Sequence, residues 1–426
     1  MSKHRKNSNL RPVEPQRTLA VQLPLRVLDA LGDVESAFFG LALEAGRHVL
    51  GALMEEDREA LCGPKGRHVA DRRAYRAGSV PSEITLGGRR IPMRRPRARS
   101  VDGHELALPS FRLAAGRDPL DQHTLAAVAA GVATRSYGTM LERLPAGERE
   151  RAVSRSSVSR RFVALTQRQM AEWLSAPIAD RNVRIVMIDG KVFQDHSVLI
   201  ALGIAADGEK IVLGMREGTT ENATVTADLL RDIIARGVSP DERVLFVIDG
   251  GKGIRKAIRA CFGASAWVQR CTLHKLRNVL GYLPQNLRPS VARALRQAWS
   301  SADADLARKQ LERLARSIER DHPDAARSLR EGLPETLTLQ RLGLSNSALA
   351  RSLRTTNPIE NLMGSVERYT RNVKRWRGGR MILRWVGAAL RHAQRSFRRI
   401  RGYRDIRSLL HALTHAKEVD AGKVAA

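Results

Sequence analysis

The sequence predicts an α/β protein: a mixed β-sheet with helical regions before and after it. Three observations carry this. Residues 183–270 alternate strand-type apolar runs with helical periods, residues 276–350 are helical in character with no strand candidate, and 43% of the 426 residues are hydrophobic, enough for a real core. Charge then sets the class of partner. Lys and Arg number 73 against 44 Asp and Glu, a formal net charge of +29. Only 12 of the 73 are lysines, so the surplus is mostly guanidinium. Solubility needs far less, and such an excess points to a polyanion, nucleic acid first.

Several classes are excluded. No run of about 18 apolar residues exists, so no membrane span is expected, and the opening MSKHRKNSNLRPVEP lacks the apolar core of a secretory signal. Three cysteines (Cys62, Cys261, Cys271) cannot form a disulfide framework, so a reducing cytoplasm is expected. Aromatics are 4% of the chain, too few for a platform that stacks single-stranded bases.

Residues 1–17 are polar and basic and are expected to form a disordered arm. Residues 24–60 carry helical spacing (Val27, Leu28, Leu31, then Phe38, Phe39, Leu41, Leu43), predicting one or two helices. Residues 79–111 hold Gly-Gly and Asp-Gly turns and four prolines, and read as short strands of a β-ribbon. Within it Arg89, Arg90, Arg94, Arg95, Arg97 and Arg99 cluster with no acid between them. Helices are expected at 119–130, 134–143 and 156–174. The last opens with Ser156-Ser157-Val158-Ser159-Arg160-Arg161, serine being available as the N-cap. This arrangement fits a helix-turn-helix whose third helix reads the major groove, or else an ordinary bundle with a basic face.

The sheet begins at Arg184–Asp189, an apolar strand ending in a carboxylate. Strands follow at Ser197–Ala205 and Lys210–Met215, joined by Ala206-Asp207-Gly208. A helix carries Val225, Leu229, Leu230, Ile233 and Ile234 and closes at Gly237. Arg243–Asp249 is a second apolar strand ending in Asp, followed by a helix at 252–262 and a short strand at 266–270. The order β-β-β-α-β-α-β is the ribonuclease-H-like pattern, three antiparallel strands and then a crossover to parallel ones. After the helical stretch, Thr355–Asn361 starts another helix, with Thr or Asn capping and Pro in the first turn. Residues 368–407 then hold fourteen Lys or Arg against one acid, Asp405, with Trp376 and Trp385 among them. So lopsided a run favours phosphate contact over a merely solvated face.

Two strands of one sheet each run into Ile-Asp-Gly, which sets Asp189 and Asp249 at neighbouring strand ends. Two carboxylates repel unless a cation lies between them, and hard oxygen ligands suit Mg2+ or Mn2+. Asp-Gly is also an ordinary turn opener, so spacing alone leaves both readings open. A third carboxylate is needed to fix two metal ions for attack on a phosphodiester. Glu360 is a candidate, and Glu367, two turns on, is not separated from it by periodicity. Cys271-Thr272-Leu273-His274 looks like half a zinc site, but no second pair exists to complete it, so a supporting or DNA-facing role is expected for Cys271 and His274. Gly250-Gly251-Lys252-Gly253 lacks P-loop spacing and is not read as a nucleotide loop.

Together these pieces resemble the mutator-type transposases of bacterial insertion sequences, within the DDE group of ribonuclease-H-like recombinases. The matching segments are Ile188-Asp189-Gly190, Leu202–Gly214, Val247-Ile248-Asp249-Gly250, Gln269-Arg270-Cys271-Thr272-Leu273-His274 and Thr356-Asn357-Pro358-Ile359-Glu360-Asn361. They cover roughly residues 120–400. The resemblance implies Asp189, Asp249 and Glu360 as catalytic metal ligands, and a helical insertion after His274 that splits the catalytic fold. The chain departs from many relatives in Asn361, where they carry Arg, and in the form of RYTRNVKRWRGG.

The expected organisation is a DNA-binding helical and β-ribbon region at 18–117, a helix-turn-helix-like region at 118–180, and catalytic parts at 181–275 and 351–407. The insertion would occupy 276–350, and 408–426 would be a tail. The function implied is a transposase that binds terminal inverted repeats, cuts and joins double-stranded DNA with Mg2+ or Mn2+, and works as a homodimer or larger assembly in the cytoplasm, at the bacterial nucleoid. Arg371, Lys374, Arg375, Arg377 and Arg380 join the ribbon arginines and Ser156, Ser157, Arg160 and Arg161 as expected DNA contacts. An inactive DNA-binding regulator and a structure-selective nuclease are the alternatives.

Overall fold

The computed structural model describes residues 34–67, 73–86, 89–116, 155–218 and 223–415. The expected arm, the helices at 119–130 and 134–143, and the tail beyond 415 lie outside these residues. The chain divides into two compact units, with the break near residue 160.

In the N-terminal unit a long helix, α1 (Val34–Cys62), precedes an antiparallel sheet of β1 (Ala74–Leu86), β2 (Arg89–Ser100) and the short β3 (Glu105–Leu106). Helix α2 (Pro109–Gly116) follows. The ribbon thus starts earlier than the alternation at 79–111 suggested, and β1 and β2 pair along nearly their whole length, with Ile84 opposite Ile91. Leu43, Met54, Ile84, Ile91, Ala98 and Leu108 form its small core. Helix α3 (Arg155–Ser175) covers the helix expected at 156–174.

The larger unit is built on five strands: β4 (Val183–Phe193), β5 (His196–Ala205), β6 (Lys210–Gly218), β7 (Val244–Ile248) and β8 (Ala266–Arg270), in the order β6-β5-β4-β7-β8. The first three form an antiparallel meander, and β7 and β8 run parallel to β4. Helices α4 (Ala223–Ala235) and α5 (Lys252–Phe262) make the crossovers.

The strands are apolar on both faces because the sheet is covered on both, and period-2 alternation divides their side chains between two cores. Val186, Ile188, Leu213, Phe246 and Ile248 meet Leu229, Leu230 and Ile233 of α4 and Ile254, Ile258 and Phe262 of α5. Ile185, Met187, Ile200, Leu202 and Val247 meet residues from the C-terminal part of the chain. That cover comprises α12 (Ala348–Leu353), α13 (Asn357–Thr370), α14 (Gly379–Gln394) and α15 (Ile406–His415), numbered after the helices that precede them. Those are α6 (Thr272–Gly281), α7 (Arg288–Ser300), α8 (Ala304–Glu319), α9 (Pro323–Arg330), α10 (Leu333–Thr336) and α11 (Thr338–Arg341). Leu276, Leu295, Trp299, Leu311 and Leu329, with their neighbours, give this stretch a separate helical core.

One expectation changes, and one basic segment proves to be interrupted. The first Ile-Asp-Gly does not end its strand. β4 runs on to Phe193 because β5 keeps pairing with it, Asp189 opposite Ile200 and Phe193 opposite His196, whereas pairing with β7 stops at Met187 opposite Val247. The basic run at 368–407 is not one continuous helix. It breaks after Thr370, passes through a non-helical stretch at 371–378 and resumes at Gly379, where two glycines interrupt the helical pattern.

Candidate active site and nucleic-acid interface

β4 and β7 are parallel and in register up to Met187 opposite Val247, and Asp189 within β4 and Asp249 just past the end of β7 each lie two residues beyond that rung. Both are half-buried. Each has one carboxylate oxygen tied locally: Asp189 Oδ1 accepts from the Gly190 N–H and Asp249 Oδ1 from the Gly251 N–H, both at 2.9 Å. The two glycines after them differ in purpose. Gly190 sits in the ladder opposite Leu199. Gly250 has φ +112°, and a Cβ there would lie 2.1 Å from Arg270 Nε, so only glycine fits.

The Thr-Asn-Pro-Ile-Glu string opens α13, with Pro358 in its first turn. Ile359, Leu362, Met363 and Val366 are buried and seat the helix on the sheet. Thr356 stands at the N-cap, yet its side chain makes no capping hydrogen bond. Its hydroxyl donates to Glu360 Oε1 at 2.8 Å instead. His274 Nδ1 lies 3.7 Å from the same oxygen. The two glutamates that periodicity could not separate now part company. Seven residues advance the helix by roughly 10 Å, which carries the exposed Glu367 to an ion pair with Lys191 on the far side of Asp189 in β4. Glu360 is the one on the side of His274.

Cys271 and His274 lie where β8 passes into α6. The Cys271 N–H donates to Ile248 O at 2.7 Å, Cys271 Sγ accepts from the His274 N–H at 3.5 Å, and Thr356 Oγ1 is 3.4 Å from that sulfur and 3.3 Å from His274 Nδ1. The hydrogen bond with Cys271 pushes the imidazole up against the opposing effect of burial, and the charges of Cys271, Glu360 and Asp249 add to it. Burial works to raise the Cys271 thiol, but its bonds with His274 and Thr356 prevail and hold it below its usual range. Glu360 and Asp249 thus both act on one imidazole. As donors, three carboxylates fit a hard divalent cation. As folded, among the described residues, no group of three or more His, Cys, Asp or Glu side chains is gathered to hold a metal ion.

The basic segments divide sharply. In the ribbon, Arg89 is 1% exposed and lies over the Phe39 ring at 5.2 Å, so it cannot reach a phosphate. Arg95, Arg97 and Arg99 converge on Glu105 of β3 at 3.3, 2.6 and 3.7 Å, and Arg95 also covers Phe111. Arg90 pairs with Glu83 at 3.7 Å, and Arg94 donates to Ser79 Oγ. No acid lies within the 89–99 segment, but neighbouring strands supply them. At the start of α3, Ser156 and Arg160 are exposed and Arg161 is half-buried, while the Ser157 side chain lies outside the described set.

Arg371, Lys374, Arg375, Arg377 and Arg380 are all exposed, with no acid among the described residues at ion-pair distance from any of them. Their two tryptophans face inward. Trp376 meets Phe193 edge-on at 5.5 Å and Trp385 meets Phe162 at 4.8 Å. Trp376 therefore staples the basic loop to the end of β4, the strand that carries Asp189. Sequence reasoning missed two features: the Thr356 hydroxyl as a shared partner of Glu360, Cys271 and His274, and the buried cations Arg270 and Lys275 behind Gly250. All three residues lay in or beside the matched strings, but only the fold shows what each of them touches.

The chain matches the family described as "Transposase, Mutator family" over residues 33–399. The transposase for insertion sequence element IS256 in transposon Tn4001 of Staphylococcus aureus is 26% identical over 357 residues, covering 80% of this chain and 87% of the relative. The transposase for insertion sequence element IS1081 of Mycobacterium tuberculosis is 26% identical over 392 residues, 89% of this chain and 88% of the relative. The transposase for insertion sequence element IS6120 of Mycolicibacterium smegmatis is 33% identical over 177 residues, 42% of this chain and 53% of the relative. The family match takes in both aspartate strands, the Cys-x-x-His helix start and the glutamate helix, and the chain belongs to the mutator family of transposases.

Proposed function

We propose that the protein binds the terminal inverted repeats of a DNA element, cleaves there and joins the freed ends to target DNA, using Asp189, Asp249 and Glu360 on a ribonuclease-H-like sheet. The observation that carries this is the parallel, in-register pairing of β4 with β7, which sets Asp189 and Asp249 each two residues beyond the same rung, together with His274 Nδ1 3.7 Å from Glu360 Oε1. The strand order and the separate core of the helices after His274 support the fold and its helical insertion.

Asp189, Asp249 and Glu360 would hold Mg2+ or Mn2+, which when bound stabilises charge developing on the phosphodiester oxygens. The chain's own groups do the rest. The exposed 371–380 cations neutralise the DNA backbone and, through Trp376 and Phe193, fix it relative to the Asp189 strand. The hydroxyl of Thr356 restrains Glu360. Two element ends must be brought together, so a homodimer or larger assembly is the working form. No described helix is long and apolar enough to cross a membrane, and a cytoplasmic protein at the nucleoid suits a DNA substrate.

The test supplies Mg2+ and DNA bearing the element's ends. Cleavage followed by strand transfer is expected, with Asp189→Asn and Asp249→Asn each slower by roughly a thousandfold or more, the scale of losing a central electrostatic group. Variants that cut like wild type would overturn the assignment. Cleavage without joining would point to a nuclease, and binding without cleavage to a regulator.

A further inference from the structure

We propose that Thr356, together with Cys271, is a positioning pair that sets where Glu360 stands relative to Asp249. The inference rests on the reading of Asp249 and Glu360 as members of one active site. A continuous run of polar contacts joins them. Asp249 follows β7, whose last carbonyl, on Ile248, accepts from the Cys271 N–H at 2.7 Å. Cys271 Sγ lies 3.4 Å from Thr356 Oγ1, and that hydroxyl donates to Glu360 Oε1 at 2.8 Å. A second tie runs alongside. The N–H and the hydroxyl of Thr272 both donate to Arg354 O, at 2.9 and 3.1 Å, fastening the start of α6 to the segment that leads into α13.

The hydrogen-bond capacity of the hydroxyl accounts for its placement. A threonine hydroxyl has one proton and two lone pairs. The hydroxyl can donate to Glu360 Oε1 at 2.8 Å or to Cys271 Sγ at 3.4 Å, the carboxylate oxygen being the shorter contact, and His274 Nδ1 stands 3.3 Å away. Thr356 is fully buried, so no solvent molecule stands in for a missing partner. The residue occupies an N-cap position without capping, so its hydroxyl is committed to the site rather than to the helix. Glu360, half-exposed in the first turn, would otherwise sample several rotamers. Groups that orient a ligating carboxylate in this way commonly carry a 10–100-fold effect on metal affinity.

The experiment measures Mn2+ binding to the full-length, DNA-free protein, by electron paramagnetic resonance of the unbound ion, and then the metal concentration needed for half-maximal cleavage. Thr356→Val keeps the side-chain shape and removes the hydroxyl. It is expected to weaken Mn2+ binding by about tenfold or more and to shift the cleavage requirement to higher metal, with terminal-repeat binding in a gel shift unchanged. Thr356→Ser restores the hydroxyl and returns both values to within a few-fold of wild type. Thr356→Val matching wild type in both, or Thr356→Ser failing as badly as valine, overturns the proposal. Should the valine variant not fold, Cys271→Ala decides by the same two readouts: a weakened Mn2+ site supports the pair and a wild-type one refutes it. Wild type that binds no Mn2+, with Asp249→Asn cutting normally, would instead bring down the parent reading and this inference with it.

Discussion

Replacing Gly250 by alanine tests whether the backbone beside Asp249 is built around Arg270. At φ +112° an alanine is in a region that side chains rarely adopt, a strain of about 1–3 kcal/mol. Its Cβ would also lie 2.1 Å from Arg270 Nε, 2.4 Å from Cζ and 2.6 Å from Nη2. The guanidinium has little room to retreat. It is 5% exposed, it donates to Glu331 O at 2.8 Å, and its other side is set against Gly332, where a Cβ would come within 2.5 Å of Nη1. Overpacking of this kind costs about 1–3 kcal/mol more. The sum is about 2–6 kcal/mol, which in a unit of this size lowers Tm by roughly 5 °C or more. Gly263 is the control. It too has positive φ, +52°, but nothing lies within 4 Å of the added carbon, so Gly263→Ala should lose only the conformational part, about 1–3 kcal/mol. Differential scanning fluorimetry or calorimetry reads both. Gly250→Ala no worse than Gly263→Ala would falsify the packing argument. The displaced Asp249 should also slow cleavage at temperatures where the variant is folded.

Further expectations concern charge. Removing Arg375 and Arg377 together should weaken DNA binding uniformly across sequences and reduce the slope of log affinity against log salt by roughly 2, about one per phosphate contact; an unchanged slope would move the backbone contact elsewhere. Arg97→Ala, whose charge is already met by Glu105, should alter that slope by less. Arg89→Ala should lower Tm and leave DNA affinity unchanged, because the side chain is core rather than surface. Lys275 gives a pH signature. Burial, assisted by repulsion from Arg270, lowers its ammonium to about 8 from an ordinary 10.5. Between those values the unfolded chain holds a proton that the folded chain has released, so stability rises with pH across that window. Wild type should therefore gain on Lys275→Met from about pH 8 to 10.5 in denaturant titrations, and a loss over that range would refute the shift.

The sheet was readable because its strands bury both faces and so appear as unbroken apolar runs punctuated by Asp-Gly and Gly. The crossover helix at 223–235 was readable because its apolar residues keep one stripe. Strand ends were harder. Nothing in Gly190-Lys191-Val192-Phe193 announces that β5 will keep pairing with β4 after β7 has stopped. For Glu360 against Glu367, helical periodicity gives the face but not the height along the axis, and only the landing point of α13 on the sheet separates them. The setting of the arginine cluster at 89–99 was hidden for a related reason: a local count of charge ignores acids delivered by the next strand, and Glu105 lies against three of its arginines. Arg89 had the added disguise that a guanidinium can lie flat on an aromatic ring and be swallowed whole.

The helix that delivers Glu360 also covers one side of the sheet, and this ties the making of the protein to its chemistry. Until the chain beyond Thr338 has been made, much of the apolar face formed by Ile185, Met187, Ile200, Leu202 and Val247 lacks its cover. A chain halted before Thr338 is therefore both without Glu360 and left with an uncovered apolar face, a condition that favours aggregation. Cover of the sheet and placement of Glu360 thus arrive together, late in synthesis.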